Sequence, residues 1–81
     1  MNNLTNMGLA SNEAKEQRIM RLRNAFSRRE VITVESASKK TGYSLNTIRK
    51  WAKEGDIPLW DPETGTSVVP LTSDNRPKWL D

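Results

Sequence analysis

The chain has 81 residues, 35% of them hydrophobic, and 13 basic against 10 acidic residues give it a net charge of +3, with a pI of about 9.6 and a mean hydropathy of -0.76; this describes one small domain with a small core and a surface compatible with nucleic-acid binding. The absence of cysteine and histidine excludes disulfides and thiolate metal sites and removes the commonest metal ligand and the commonest general base. No apolar run reaches membrane-spanning length and no charged-then-apolar leader opens the chain, so a cytoplasmic protein without membrane contact is expected.

Residues 1–11 are polar, rich in asparagine and without charged side chains, the composition of a disordered lead-in. Residues 12–30 read as a basic amphipathic helix. Asn12 suits its N-cap, Glu13 and Glu16 its first turn, and Arg28 and Arg29 its last, an order that complements the helix dipole. Ile19, Leu22 and Phe26 fall on one stripe, with Met20 beside it. This narrow stripe either docks on the domain or pairs with a second copy. Lys15, Arg18, Arg21, Arg23, Arg28 and Arg29 make the remainder basic, as a solvated face or as phosphate contacts.

Residues 31–34 are β-branched enough for a brief strand. Thr33 then caps a helix over 34–41, Glu35 suits its first turn, and Ala37 is small where a second helix crosses. Gly42 ends the helix in a left-handed conformation, and Tyr43 tucks back onto it. Ser44 caps a further helix over 45–54, which Gly55 ends. Leu45, Ile48 and either Trp51 or Ala52 form its inward face, while Asn46, Thr47, Arg49, Lys50 and Lys53 point largely outward. Residues 57–60 form an apolar run, and Pro58 confines it to a sheet edge. The turn over 61–65 and the return strand over 66–71 complete a hairpin. Thr72 or Ser73 caps a last helical turn, and Trp79 and Leu80 fold back on the core. The fold class expected is α+β: a small winged helix-turn-helix domain over 31–81, preceded by an additional N-terminal helix.

Arg49, Lys50 and Lys53 are the sharpest candidates for chemistry. On a helix lying in the major groove such residues meet phosphates and base edges, and Arg pairs with guanine. Asn46 and Thr47 occupy the first turn, where such a helix contacts bases. The competing reading is a solvated face of a core helix, and the flanking turn and hairpin weigh for DNA. Trp51, Trp60 and Trp79 fit a small core better than single-strand stacking. Asp56, Asp61 and Glu63 match the needs of turns rather than a metal loop. No Ser-His, Cys-His or Gly-rich phosphate motif is present, so no enzyme, cofactor or metal site is expected.

The run Ser44-Leu45-Asn46-Thr47-Ile48-Arg49-Lys50-Trp51 resembles the recognition helix of phage lambda-type excisionases. Ile32-Thr33-Val34-Glu35-Ser36-Ala37 resembles the start of their first helix, and Asp74-Asn75-Arg76-Pro77 a segment after their wing. The likeness spans residues 31–80, within a winged-helix superfamily that includes MerR-like regulators. It implies a recombination directionality factor that bends double-stranded DNA at an attachment site and assists a tyrosine integrase in excising a phage or mobile element. Asn46, Thr47, Arg49, Lys50 and Lys53 would then read the major groove, and the wing would reach the minor groove. The tip carries Asp61 and Glu63 and no Lys or Arg, so that contact falls to Thr64, Gly65 and Thr66. Lys39, Lys40, Arg28, Arg29 and Arg76 are further phosphate contacts under this reading. The basic helix precedes the domain instead of a basic tail following it, which would move integrase contact or self-association there. Two alternatives stand: a MerR-like or phage-repressor regulator with Ile19, Leu22 and Phe26 as a dimer seam, and a protein-binding adaptor in DNA packaging or replication.

Overall fold

The computed structural model describes the backbone of residues 3–80 and the side chains of residues 13–80. Three helices, α1 (Asn3–Ser27), α2 (Val34–Thr41) and α3 (Leu45–Glu54), precede a two-stranded antiparallel hairpin of β1 (Trp60–Asp61) and β2 (Thr66–Ser67); a short 3-10 turn follows at Lys78–Leu80. The molecule is a small α+β domain.

The caps fix α2 and α3. Thr33 Oγ1 accepts from Ser36 N–H at 3.0 Å, and Ser36 Oγ accepts in return from Thr33 N–H at 3.2 Å, a reciprocal box that satisfies two free amides at once. Ser44 Oγ accepts from Thr47 N–H at 3.2 Å. Gly42 closes α2 at φ 81° with nothing within 4 Å of where a Cβ would stand, so backbone conformation selects glycine there. Gly55 is selected for the opposite reason. Its φ is -89°, which any residue adopts, and the left-handed step after α3 is taken by Asp56 at φ 55°. A Cβ at Gly55 would collide with Ile19 Cγ2 and stand 3.1 Å from both Ile57 Cδ1 and the Trp51 carbonyl.

One apolar core joins the elements. Leu22, Ala25 and Phe26 of α1, Val34 and Ala37 of α2, Ile48, Trp51 and Ala52 of α3, and Val31, Ile57 and Leu59 from the connections are all buried. A fully buried Val, Leu or Ile contributes about 1.5–3 kcal/mol relative to its exposed state, so this cluster carries the fold. The stripe expected on α1 is therefore turned inward: Leu22 and Phe26 are buried and Ile19 packs against the cluster, while Met20 is 62% exposed. Of the two candidates for the inner face of α3, both Trp51 and Ala52 are buried. Leu45 departs from expectation. It is 38% exposed and lines an open crevice with Val34 and Glu35 of α2.

Four further expectations change. The helix expected from Asn12 begins at Asn3. Residues 3–11, expected as a lead-in, are thus helical, and residues 1 and 2 lie outside the described ones. No proline stands in 1–11 and the single glycine costs only about 1 kcal/mol, a penalty that the Leu, Met and Ala around it offset in part. Asn12 is inside α1, and its side chain is outside those described. At the other end α1 stops at Ser27, so Arg28 and Arg29 follow the helix instead of forming its last turn, and Arg29 itself makes the left-handed step at φ 63°. The strand expected over 31–34 is reduced to one parallel bridge, Thr33 to Trp60, with Trp60 N–H donating to the Ile32 carbonyl at 2.9 Å. The hairpin strands are also shorter than 57–60 and 66–71. Only Trp60–Ser67 and Asp61–Thr66 pair as strand residues, extended by Val68 N–H to the Leu59 carbonyl at 2.8 Å. Pro70, opposite Ile57 in this register, has no donor to extend the ladder, and the Leu59 amide donates to the Ile57 carbonyl at 2.9 Å instead of crossing to Val68.

The C-terminal segment is stapled locally. Asn75, 8% exposed, accepts from Thr72 N–H at 2.7 Å and donates to the Pro70 carbonyl at 3.0 Å. Trp79 folds back as expected: its indole N–H donates to the Phe26 carbonyl at 3.0 Å and its ring meets Phe26 edge-on at 5.5 Å. Among the described residues no helix is long and apolar enough to cross a membrane.

Candidate nucleic-acid interface

The outward face of α3 and the hairpin form the two walls of an open groove of about 310 Å³, lined by Arg49, Lys50 and Lys53 on one side and by Asp61, Thr64 and Thr66 on the other. Ser67 and Val68 complete it. Ile48 and Ala52, both fully buried, anchor α3 from behind, so the helical period carries Lys50 and Lys53 outward to exposed positions. On the hairpin, Gly65 takes φ 72° and its N–H donates to the Asp61 carbonyl at 2.9 Å. Glu63 N–H donates to Asp61 Oδ1 at 3.1 Å, the turn closure typical of aspartate. Thr64 and Thr66 hydroxyls bond to each other at 3.0 Å at the tip.

Arg49 behaves unlike its neighbours. Its Nε donates to Asp61 Oδ2 at 2.7 Å and its Nη2 to Asp61 Oδ1 at 3.3 Å; Nη2 also reaches Glu63 Oε2 at 2.7 Å, and Nη1 reaches Asn46 Oδ1 at 3.0 Å. The guanidinium fork is thus occupied by protein acceptors. Its side chain is 25% exposed, against 5% for Asp61 and 73% for Glu63. The hydrogen bond from Arg49 holds the Asp61 carboxyl below the ordinary aspartate range, aided by the Glu63 backbone amide and opposed by desolvation. The same bond raises Arg49 above its own ordinary value. Arg49 is therefore a strut between α3 and the hairpin, and the guanine pairing expected of it would require both carboxylates to be displaced. The strut also changes the meaning of the acidic tip: Asp61 and Glu63 are turned onto a guanidinium, which leaves one net negative charge there instead of two.

The other expected residues divide. Asn46 is exposed, with its carboxamide oxygen used by Arg49. Thr47 is half-buried and its hydroxyl bonds to Ser44 Oγ at 2.9 Å, so it serves the cap. Lys39 is exposed on α2. Lys40 pairs with Glu30 at 2.9 Å and lines a different groove, with α1. Arg29 lies over the Trp79 ring at 4.9 Å and donates to the Trp79 carbonyl at 3.4 Å. Arg28 is exposed in the turn after α1, and Arg76 lines a third crevice, with Arg23 and Asp74. The structure thus brings Arg49, Lys50, Lys53, Thr64 and Thr66 together and leaves Lys40 and Arg76 at other surfaces. Asp56 stands in the crevice of Arg76, apart from Asp61 and Glu63, and among the described residues no group of three carboxylates, histidines or cysteines is placed to hold a metal ion. Asp61 and Glu63 are the site residues that sequence reasoning misses. They are legible as turn formers, and no local signal marks a partner 12 or 14 positions away.

Comparison with protein-family models, with curated proteins and with solved structures gives no match to this chain.

Proposed function

We propose that the protein is a sequence-specific double-stranded DNA-binding protein with a winged helix-turn-helix domain, in which α3 is the recognition helix and the hairpin is the wing. In this reading it is an architectural factor of the excisionase kind, which bends attachment-site DNA and assists a tyrosine integrase without being an enzyme itself. The observation that carries it is the groove in which exposed Lys50 and Lys53 on a capped helix face the threonines of a hairpin tip. Two cations at helical spacing beside hydroxyl donors suit a phosphate backbone, and the exposed Asn46 suits base edges. The excisionase assignment rests on the sequence resemblance over residues 44–51. The regulator reading is weakened, because the seam it requires is spent on the protein's own core, where Leu22 and Phe26 are buried.

The test is binding to duplexes that the protein enriches from a randomised pool, measured by anisotropy across a salt series. Lys50→Ala with Lys53→Ala should weaken binding and lower the salt slope by about 0.9 for each phosphate no longer neutralised, with the fold intact since both side chains are exposed. Unchanged affinity and slope would sink the DNA reading. A circular-permutation assay on the enriched site then separates the two DNA functions: a bend supports the architectural role, and binding without a bend supports a regulator.

A further inference from the structure

Asn46 stands in the first turn of α3 and Arg49 follows one turn later on the same face. The two side chains are joined, Arg49 Nη1 donating to Asn46 Oδ1 at 3.0 Å. A guanidinium only donates. The amide of Asn46 must therefore turn its oxygen to Arg49, and its NH2 takes the other limb of the planar group. The guanidinium is itself fixed. Asp61, 3% exposed, accepts from Nε at 2.7 Å and from Nη2 at 3.3 Å, and Glu63 accepts from Nη2 at 2.7 Å. A buried carboxylate on the hairpin thus sets, through one arginine, which end of an exposed amide on α3 is offered outward.

We infer that Asn46, oriented by Arg49 and Asp61, reads a guanine in the major groove and disfavours adenine. The inference rests on the DNA reading proposed above and specifies the base that its recognition helix selects. An unconstrained asparagine pairs with adenine through both ends of its amide, accepting from N6 and donating to N7. Here the oxygen already faces a cation, and adenine N6–H2 would meet donors on reaching it. Guanine presents two acceptors, O6 and N7, and the two hydrogens of the Asn46 NH2 can answer both, as the single nitrogen of a lysine does. Thymine presents one acceptor, and cytosine a donor. A phosphate is the poorer occupant. Arg49, Asp61 and Glu63 together carry one net negative charge, which repels an anion and does not repel a neutral base edge. Arg49 and Asp61 are positioning residues in this scheme.

The test uses the full chain and the duplex it enriches from a randomised pool. Every single base-pair replacement is competed against the enriched site at one salt concentration. Asn46→Ala should lose discrimination at one base pair and keep it elsewhere, which marks the pair that Asn46 reads. In the unsubstituted protein that pair should be G·C, favoured over A·T by about tenfold or more. Arg49→Met with Asp61→Asn removes one charge of each sign, so net charge is conserved while the amide is released. At the marked pair this variant should prefer guanine by about twofold or less, with its fold checked by circular dichroism; the scans of the unsubstituted protein and of Asn46→Ala decide without it. An A·T pair at the marked position overturns the inference and leaves the DNA reading standing. So does an Asn46→Ala variant that loses affinity equally for every replacement, as a phosphate contact would, or that changes nothing, and so does a guanine preference that survives in the folded double variant. Failure to enrich any duplex overturns the DNA reading, and this inference with it.

Discussion

On its flank toward α1 and α2, α3 presents Ile48 and Ala52, neither with any exposed surface. On its flank toward the hairpin it presents Arg49, held by Asp61 and Glu63 at 2.7 Å each. The first contact is apolar and non-directional, and it persists at any pH at which the chain folds. The second is directional and depends on the charge of two carboxylates. The helical side of the molecule is thus a fixed platform. The base of the hairpin shares the apolar core through Leu59 and Val68, and Arg49 adds a charge-dependent tie between its turn and α3.

The largest expected effect breaks the platform. Ile48→Ala empties a fully buried position and should cost about 2–5 kcal/mol, read as a drop in the urea midpoint with helix and hairpin lost together. Next, Gly55→Ala should cost about 1–3 kcal/mol by overpacking, since its Cβ meets Ile19 and Ile57 in a backbone conformation that alanine accepts. If Gly55→Ala is neutral, α1 is more loosely seated than its contact with Gly55 implies. The smallest effect on global melting is expected of Asp61→Asn, because the hairpin contributes only two paired strand residues on each side. Its signature lies elsewhere. The Asp61 carboxyl is held below its ordinary range by Arg49, so its contribution is complete above that range and is lost as pH falls through it and below. The Asp61→Asn variant should therefore show a shallower loss of stability on acidification, and faster hydrogen exchange at the hairpin amides while the helix amides stay protected. Equal acid dependence of parent and variant would erase the distinction between the two flanks.

Particular elements explain how much of the fold is legible in the sequence. Thr33, Gly42, Ser44 and Gly55 mark both ends of α2 and α3 correctly, and Trp79 returns to the core as its place in the chain suggests. The hairpin is legible from the Asp-Pro-x-x-Gly turn, but its strands are shorter than the pattern implies, because residue types do not reveal that the Leu59 amide turns back to the Ile57 carbonyl instead of crossing to the return strand. The outward face of a basic helix suggests Arg49 as a base contact, and the spacing of Leu45 to Ile48 suggests an apolar stripe. Both expectations hold for α3 as an isolated cylinder. In the protein Leu45 stays 38% exposed, and Arg49 meets a hairpin.

By itself the sequence determined the local items: where α2 and α3 start and stop, which face of each is apolar, and where the chain reverses. These depend on hydrogen bonds and backbone angles within about four residues, and each residue type carries them wherever it stands. Only the tertiary structure decided which charges remain available at the surface. Arg49 and Lys50 are adjacent cations of the same helix, yet one is consumed by acids from residues 61 and 63 and the other stays exposed. Charge pairing acts through space and not along the chain, so the difference between a strut and a contact residue was fixed when the hairpin came to rest against α3.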